Sequence, residues 1–462
     1  METQQYEIVT VGTGEGSKFL AWTLGKQGKR VAAIERKYIG GSCPNIACLP
    51  SKNVIHSAKV ASYFRRSEEF GISKEGFRID MSAVRDRKRK MVRDLVDIHV
   101  ANFKASGVEL IMGSAKFTGP KTLEVSLNEG GTRVIRGEKI VIGIGTHATV
   151  ADIPGLRGSN PLTHIDVLEL SYVPRHLIVL GGGYIGLELA QAMRRFGSSV
   201  TIVDRNARLA SREDEDASLG LTQLCNDEGI QLVMNATVSQ VEGVSGHSVK
   251  LHVRQGDSKS VIEGTDLLVA AGRTPNTDGL GLDVAGVELT EQGYIKVNER
   301  LETTAADVWA IGECAGSPQF THIAFDDFRI IRDNLAGGNR VTTGRQVPFC
   351  LFTDPELARI GLNETEAKAS GTPYRLAKIP MAADLRTRTL SETRGFMKAL
   401  IDTKSDRILG FTVFGVDGGE IMGAVQIAMI AGLPYTALRE AVLTHPTLLE
   451  GLVVLFSAVP PK

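Results

Sequence analysis

The sequence has no excess of basic residues and no long hydrophobic run. Lysine plus arginine number 53 and aspartate plus glutamate also number 53 among 462 residues, which argues against binding to nucleic acid or to an anionic membrane. An uninterrupted apolar stretch of about 18 residues, the length that a membrane span needs, does not occur. Residues 1–5 are polar and lack the pattern of a signal peptide. We therefore expect a cytoplasmic protein that binds neither nucleic acid nor membranes.

Aromatic residues and cysteine are also scarce. Aromatic residues make up 6% of the chain, and three of the five cysteines stand alone, without the spacing of metal ligands. We therefore predict no metal site. Apolar residues make up 42% and charged residues 23%, as in ordinary globular proteins, and the length predicts about three domains. The isolated cysteines are Cys225, Cys314 and Cys350.

The other two cysteines, Cys43 and Cys48, stand close together in a short segment that also contains Pro44 and Lys52. On an ideal helix, residues with this separation have Cα atoms roughly 8–9 Å apart, whereas a disulfide needs about 7 Å or less. A bond between them therefore requires a distorted first helical turn, which a proline at its start favours. From the spacing alone, two free thiols remain an equal alternative.

Glycine is abundant, with 50 residues, and two glycine-rich turns repeat one pattern. Each turn follows a short apolar strand and precedes a helical stretch, and a second strand then ends in an acid. The spacing from the first glycine to the acid is identical in both copies. The positions are Gly12, Gly14, Ser17 and Glu35 in the first copy and Gly181, Gly183, Gly186 and Asp204 in the second.

This repeated pattern is the fingerprint of a dinucleotide-binding fold. The first glycine permits a tight turn, the second lets the backbone approach a pyrophosphate, and the third lets the helix pack on the strand. The helix N-terminus attracts the phosphates, and the acid accepts a hydrogen bond from a ribose hydroxyl. Ser17 replaces the third glycine in the first copy, which predicts slightly looser packing there. Two copies predict two bound dinucleotides.

The same patterns divide the chain into domains. We predict a first dinucleotide-binding domain over residues 1–150, a second over 151–270, a return to the first domain over 271–340 and a C-terminal α+β domain over 341–462. The charged stretch around Lys88 is interpreted as a solvated helix face.

Further motifs follow the glycine turns and the cysteine pair along the chain. Taken together, these motifs resemble those of the FAD-dependent pyridine nucleotide–disulfide oxidoreductases. This family includes dihydrolipoamide dehydrogenase, glutathione reductase and mercuric reductase. The resemblance covers nearly the whole chain. It implies an α/β fold with two Rossmann-type dinucleotide-binding domains and a C-terminal α+β dimerisation domain. It also implies FAD and NAD or NADP as cofactors, and a homodimer. Beyond the glycine turns and the cysteine pair, the motifs are Ala271–Asn276, Ala310–Glu313, Phe352–Glu356 and His445–Glu450.

The resemblance assigns roles around the cysteines. It implies that Cys43 and Cys48 form a redox-active disulfide, with Cys48 nearer the flavin and Cys43 meeting the substrate. A thiolate is the reactive form, so a group must move its proton. The resemblance gives this acid–base role to His445 of the partner subunit, with Glu450 orienting the imidazole.

Other residues carry over to the cofactors. Lys52 resembles the lysine beside the reactive flavin nitrogen, and Glu188 resembles its ion-pair partner. Tyr184 resembles the tyrosine that covers the flavin until the nicotinamide displaces it. The remaining positions predicted to bind FAD or NAD(P) are Arg36, Gly41, Ser42, Gly145, Thr146, Arg205, Gly272, Arg273, Gly312 and Glu313.

The sequence departs from the family's pattern at three places. Glu313 stands where the family usually has an aspartate near the FAD ribityl chain, which must change the geometry there. Pro44 and Ala47 replace an aliphatic residue and a glycine within the cysteine loop. The C-terminus lacks the vicinal cysteine pair of mercuric reductase, so efficient mercury handling is not expected.

The leading hypothesis is an enzyme that passes electrons between NAD(P)H and a disulfide–dithiol couple, similar to dihydrolipoamide dehydrogenase. Its partner would be a small disulfide or a lipoyl-type group. One alternative is a mercuric-reductase-like enzyme acting on a metal or a small electrophile, and another is a non-catalytic, redox-responsive flavoprotein subunit. Glutathione is less favoured, because no arginine cluster marks a site for its carboxylates. The second cysteine disfavours an NAD(P)H oxidase.

The choice of nicotinamide cofactor stays open. Asp204 suits the ribose hydroxyls of NADH and repels a 2′-phosphate, whereas Arg205, Arg208 and Arg212 suit that phosphate. We expect NADH or dual use.

Overall fold

The computed structural model describes residues 2–73 and 75–462. The chain forms three layered regions, built around a six-stranded, a four-stranded and a five-stranded sheet. In the first two regions short apolar strands alternate with helices. This pattern produces parallel pairing, because each crossover helix returns the chain to the same end of the sheet.

The first region is a doubly wound sheet with helices on its faces. Its elements are β1 (Thr3–Val11), α1 (Glu15–Lys26), β2 (Val31–Glu35), α2 (Ser42–Asn45), α3 (Cys48–Arg65), α4 (Met81–Ala105), β3 (Glu109–Gly119), β4 (Thr122–Leu127), β5 (Thr132–Ile142) and β6 (Thr146–Ala148). β1 pairs in parallel with both β2 and β5. β3, β4 and β5 form an antiparallel meander.

The second region repeats the strand–turn–helix unit. Its elements are α5 (His164–Val167), β7 (His176–Leu180), α6 (Tyr184–Phe196), β8 (Ser199–Val203), α7 (Glu215–Asp227), β9 (Gln231–Val233), β10 (Thr237–Val244), β11 (Ser248–Gln255), β12 (Ser258–Gly264) and β13 (Asp266–Val269). The parallel sheet has the order β13-β7-β8-β9, and β10, β11 and β12 form a separate antiparallel sheet.

The chain then returns to the first sheet. β14 (Arg273–Pro275) pairs with β6, and β15 (Val308–Ala310) pairs in parallel with β5. The turns beside the β6–β14 ladder contain Gly145 and Gly272, both with positive φ (+62° and +130°). α8 (Thr321–Leu335) follows and packs against α1. Through β15 the chain thus adds a further strand to the first sheet.

The C-terminal region is an antiparallel sheet covered by helices. Its elements are β16 (Phe349–Leu351), β17 (Glu356–Gly361), α9 (Glu364–Ala369), β18 (Tyr374–Pro380), α10 (Leu385–Thr389), β19 (Phe396–Asp402), β20 (Ile408–Gly415), α11 (Gly418–Ile430), α12 (Tyr435–Arg439) and α13 (Gly451–Ser457). The sheet order is β16-β17-β20-β19-β18. The predicted fold class, with two Rossmann-type regions before an α+β region, is confirmed. Among the described residues, no helix combines the length and the apolar character that crossing a membrane requires.

One prediction about the surface is wrong. Lys88, on α4, was expected on a solvated helix face, but its residue is only 2% exposed. Its ammonium forms an ion pair with Glu169 of the second region. The charge pattern of α4 predicts a polar helix but not which part of its surface another region covers.

Candidate active site

The two cysteines of the predicted redox pair lie where the chain leaves one helix and enters the next. α2 ends at Asn45, and Ile46 and Ala47 have non-helical dihedral angles (φ −141°, ψ 0° and φ −129°, ψ −101°). Cys48 then begins α3. The expected distortion between the cysteines is therefore present, and it brings the two thiols into hydrogen-bond contact. Both are free thiols, so this is the reduced form of the pair.

The surroundings of Cys48 favour a negative charge on its sulfur. The Cys43 thiol donates a hydrogen bond to it, the Thr321 hydroxyl lies 3.2 Å away, and the Lys52 ammonium is nearby. Together these groups outweigh burial and lower the pKa of Cys48 to about 6. The pKa of Cys43 is raised, because its proton is shared with Cys48 and because burial disfavours a second thiolate. At neutral pH the reduced pair therefore carries one thiolate, on Cys48.

Thr321 is a site residue that sequence reasoning missed. It is the first residue of α8, so the N-terminal end of this helix lies at the Cys48 sulfur. A helix N-terminus stabilises a nearby anion, and the hydroxyl adds a hydrogen bond. The two residues are 273 positions apart in the sequence. No local motif connects them.

We expect Thr321→Val to raise the pKa of Cys48 by about one pH unit, because valine keeps the shape of threonine but cannot donate to a thiolate. The pKa is measured in a Cys43→Ser background, where no disulfide forms, from the long-wavelength absorbance that a thiolate gives beside bound FAD. Ser51→Ala is the matched control, since the Ser51 hydroxyl bonds to the Cys48 carbonyl and not to its sulfur. An unchanged pKa in Thr321→Val, or an equal rise in Ser51→Ala, would contradict this role.

Lys52 and Glu188 form the predicted ion pair, which joins α3 to α6. The Lys52 Nζ lies 2.8 Å from Glu188 Oε2. The other carboxylate oxygen of Glu188 accepts a hydrogen bond from the Phe352 backbone N–H at 2.9 Å. The Lys52 Nζ also lies 4.5 Å from the centroid of the Phe352 ring. Because Glu188 is buried, it holds the lysine charge in one place, close enough to lower the pKa of Cys48.

The two glycine turns present backbone N–H groups at the starts of α1 and α6. Gly14 and Gly183 are the N-cap residues, and within residues 2–73 and 75–462 no side chain caps either helix. The first turn is tight, since a Cβ on Gly12 would lie 2.3 Å from the Gly143 carbonyl oxygen. Uncapped N–H groups above a tight turn fit the pyrophosphate of FAD at the first turn and of NAD(P) at the second.

Ser17 is accommodated by a glycine on the neighbouring segment. Ser17 is 1% exposed, and a Cβ on Gly143 would lie 2.0 Å from its hydroxyl oxygen. Because Gly143 has no side chain, it leaves room for the extra atoms of Ser17. Close backbone packing continues at Gly41, where a Cβ would lie 2.5 Å from the Gly14 Cα. Ser42 then starts α2, so the cysteine loop begins directly on the first glycine turn.

Glu35 is the last residue of β2 and Asp204 directly follows β8, and both residues are buried and hydrogen-bonded to the protein. Glu35 accepts two hydrogen bonds from Thr13, at 3.0 Å from the backbone N–H and 2.7 Å from the hydroxyl. Asp204 accepts one from the Gly182 N–H at 2.5 Å. Each acid therefore orders its own glycine turn, and a ribose hydroxyl would meet a carboxylate that is already fixed in place. The arginines after these acids, Arg36 and Arg205, are exposed.

Glu313, the predicted departure from the family's pattern, is held by the protein itself. Its carboxylate accepts hydrogen bonds from the Thr146 hydroxyl and from Arg273 Nε, the latter at 3.2 Å. Arg273 also donates to the Thr146 carbonyl at 3.0 Å. Asp327, which sequence reasoning missed, is fully buried and accepts a hydrogen bond from the Gly312 N–H at 2.8 Å. Thr146 and Arg273 thus hold the longer side chain of Glu313 in place, while Asp327 fixes the backbone of the turn at Gly312.

His445 and Glu450 form the predicted pair in the C-terminal region. The His445 Nδ1 lies 2.8 Å from Glu450 Oε2, and the histidine side chain is 60% exposed. The carboxylate orients the ring and leaves Nε2 for another group. Within residues 2–73 and 75–462 the hydrogen bonds of His445 reach Glu450 and not Cys43. One chain therefore does not bring the histidine to the cysteine pair.

Tyr184, predicted to cover the flavin, is the first residue of α6 and is half-buried. Its hydroxyl donates a hydrogen bond to Glu213 at 3.0 Å. Burial, and then the charge of Glu213, raise the pKa of Tyr184, so the side chain is a neutral phenol.

Comparisons with known proteins cover almost the whole chain. The family model described as pyridine nucleotide-disulphide oxidoreductase matches residues 6–327, and the model of that family's dimerisation domain matches residues 347–455. The chain is 37% identical to the probable pyridine nucleotide-disulfide oxidoreductase RclA of Escherichia coli (strain K12), over 98% of this chain and 99% of the relative. It is 32% identical to a mercuric reductase of Bacillus cereus, over 97% of this chain and 70% of the relative.

Other relatives and solved structures agree. The chain is 32% identical to the dihydrolipoyl dehydrogenase of Thermus scotoductus, over 97% of this chain and 96% of the relative. A solved structure of Escherichia coli RclA, described as an HOCl-induced flavoprotein disulfide reductase, matches with a TM-score of 0.90 at 36% identity. That match covers 98% of this chain and 100% of the other.

Proposed function

Because this chain belongs to the pyridine nucleotide-disulphide oxidoreductases, we propose that Cys43 and Cys48 are the redox pair through which it reduces a small disulfide. The chain is an FAD-dependent disulfide oxidoreductase that uses NAD(P)H. The observation that carries the proposal is the arrangement around the Cys48 sulfur, where the Thr321 hydroxyl lies 3.2 Å away and Cys43, Thr321 and Lys52 together lower the pKa of the thiol. A binding subunit without turnover has no need of such a thiolate, so the non-catalytic alternative is disfavoured.

The chemistry at the pair is thiol–disulfide exchange. Bound FAD supplies the two-electron step between NAD(P)H and the cysteines. The Cys43 sulfur attacks one sulfur of the substrate disulfide and releases the first substrate thiol. The Cys48 thiolate then attacks the Cys43 sulfur, which forms the Cys43–Cys48 disulfide and releases the second thiol. One of the two protons that these thiols need comes from Cys43 and the other from solvent.

We assign the acid–base step at Cys43 to His445 of the partner subunit. The raised pKa of Cys43 means that a base must take its proton before it can attack. The match to the dimerisation domain supports a homodimer. An exposed imidazole with its Nδ1 held by Glu450 is suited to reach across such an interface.

Purified holoenzyme, assayed with NADH or NADPH and lipoamide, tests the proposal. We expect nicotinamide-dependent appearance of thiols, measured with a chromogenic thiol reagent. Glutathione disulfide serves as the comparison substrate and should react more slowly. If NADH is oxidised by artificial acceptors while neither disulfide yields thiols, the proposed substrate class is wrong.

Cu(II) is a second candidate substrate for the same pair. A structure of Escherichia coli RclA that matches the whole of this chain at 36% identity is described as its Cu(II) complex. Thiolates are preferred ligands of Cu(I), the product of Cu(II) reduction. Two Cu(II) ions would each take one electron from the reduced pair, giving two Cu(I) ions, the Cys43–Cys48 disulfide and one proton. Trapping Cu(I) with bicinchoninate during NADH oxidation tests this reaction.

For the nucleotide we propose use of both NADH and NADPH at the second glycine turn, with Tyr184 occupying the place that the nicotinamide takes. Asp204 suits a free ribose, while Arg205 and Arg208 are exposed close behind it. In the Arg205→Ala/Arg208→Ala variant we expect KM for NADPH to rise about tenfold or more, with KM for NADH changed by less than about twofold. Equal changes in the two KM values would show that the arginines do not recognise the 2′-phosphate.

A further inference from the structure

Glu213, a buried residue that the mechanism above does not use, lies at the centre of a hydrogen-bonded chain of three side chains. Its Oε1 accepts the hydrogen bond from the Tyr184 hydroxyl at 3.0 Å, and its Oε2 accepts one from Arg359 Nε, also at 3.0 Å. The side chains of Glu213 and Arg359 are 3% and 5% exposed. Each oxygen of this buried carboxylate therefore has one specific donor.

Arg359 fixes the orientation of this carboxylate. It lies on β17 of the C-terminal region, whereas Glu213 lies in the second region, just before α7. The Arg359 Nη1 donates to Glu366 Oε2 at 2.7 Å and to the Gly361 carbonyl at 3.1 Å. Its guanidinium carbon lies 4.7 Å from the centroid of the Phe349 ring. These contacts fix the guanidinium, so that Arg359 Nε donates to Glu213 Oε2. The other carboxylate oxygen, Oε1, then faces the Tyr184 hydroxyl.

We propose that Glu213 is a positioning residue that holds the Tyr184 ring in its resting place and thereby sets how tightly a nicotinamide nucleotide binds. The inference rests on the role proposed above for Tyr184. A ring tied through its hydroxyl to a buried carboxylate cannot leave unless that hydrogen bond breaks. Entry of the nicotinamide therefore includes the loss of a charge-assisted hydrogen bond, which lowers the affinity for the nucleotide.

Two variants test the proposal. Tyr184→Phe removes the hydroxyl and keeps the ring, and Glu213→Gln keeps the size of the side chain but removes the charge. We expect each to lower the Kd of the holoenzyme for NAD⁺, measured by calorimetry, by about three- to tenfold. The double variant should bind no more tightly than the better single variant, because both changes break the same contact.

Tyr172→Phe is the matched control. The Tyr172 hydroxyl also donates a hydrogen bond to a buried carboxylate of the second region, Asp266 Oδ1, at 2.7 Å, but it has no contact with Glu213 or Arg359 among the described hydrogen bonds. We expect it to leave the Kd for NAD⁺ unchanged. An unchanged Kd in Tyr184→Phe, additive effects of the two changes, or an equal effect of Tyr172→Phe would overturn the proposal. If Glu213→Gln does not fold, Tyr184→Phe still decides. Disulfide reduction by the wild-type enzyme is assayed separately. A wild type that reduces no disulfide would contradict the proposed function, whereas the Kd values of the variants test only the role of Glu213.

Discussion

Replacing Cys48 by serine is expected to abolish disulfide reduction and to leave the oxidation of NAD(P)H by artificial electron acceptors largely intact. Artificial acceptors take electrons from reduced FAD directly, whereas a substrate disulfide needs both cysteines. Serine cannot form a disulfide with Cys43, so the pair can no longer accept and pass on two electrons. We expect kcat for disulfide reduction to fall by at least about 10³-fold. Parallel assays with lipoamide and with a dye acceptor measure the two activities.

Cys43→Ser is the matched control for this experiment. It also removes disulfide reduction, but it keeps the Cys48 thiol, whose pKa Thr321 and Lys52 still lower. We therefore expect the long-wavelength absorbance of a thiolate beside FAD in Cys43→Ser and its absence in Cys48→Ser. Equal loss of both activities in Cys48→Ser, or the same absorbance in both variants, would refute the division of labour between the two cysteines.

Replacing Lys398 by methionine is expected to be the most destabilising change, by about 3–5 kcal/mol. The Lys398 side chain is 0% exposed, and its Nζ lies 2.6 Å from Asp214, 2.8 Å from Asp216 and 3.1 Å from Glu364. Two of these carboxylates belong to the second region and Lys398 belongs to the C-terminal region. Methionine fills a similar volume but leaves the carboxylates facing one another without a cation. Urea unfolding followed by circular dichroism measures the loss.

Lys378→Met is the control for this prediction. Lys378 also contacts Asp216, at 2.7 Å, but its side chain is 41% exposed. Water screens such a pair, so we expect a loss of about 0–1 kcal/mol. Equal effects of the two substitutions would show that the buried network contributes no more than a surface pair.

The network around Lys398 also predicts a pH dependence. Burial alone would raise the pKa of Asp214, but hydrogen bonds from Lys398 and from the backbone N–H groups of Glu364 and Thr365 lower it to about 2. A lowered carboxylate pKa stabilises the folded state above the ordinary pKa, and this stabilisation is lost as the pH falls through the lowered value. We expect full stabilisation from this group above about pH 4 and its loss toward pH 2. Lys398→Met should weaken this dependence.

Features that are local in the sequence could be predicted. The glycine turns with Glu35 and Asp204 follow from residue types at fixed short spacing, because one strand, one turn and one helix create the binding geometry. The pair of His445 and Glu450 lies within one short segment. The ion pair between Lys52 and Glu188 was predicted only from the resemblance to the family, because these residues are 136 positions apart.

Contacts between distant segments could not be predicted. Thr321 reaches Cys48 because α8 packs against α1, beside the glycine turn on which the cysteine loop rests. Arg359 reaches Glu213 across 146 positions, and Lys88 is buried because another region covers α4. Such pairings depend on how complete sheets and helices pack, and the residue types alone allow many alternatives.

The sequence by itself determined the fold class, and it predicted two dinucleotide sites and, through the resemblance to the family, a redox-active cysteine pair. These follow from short-range spacing and from an ordered set of motifs. Only the tertiary structure showed which groups lower the pKa of Cys48 and which residue accepts the hydrogen bond from Tyr184. The reason is electrostatic, because a pKa depends on the distance to charges and hydrogen-bond donors that folding brings from remote parts of the chain. For Cys48 these are Thr321 and Lys52, and for the Tyr184 contact they are Glu213 and Arg359.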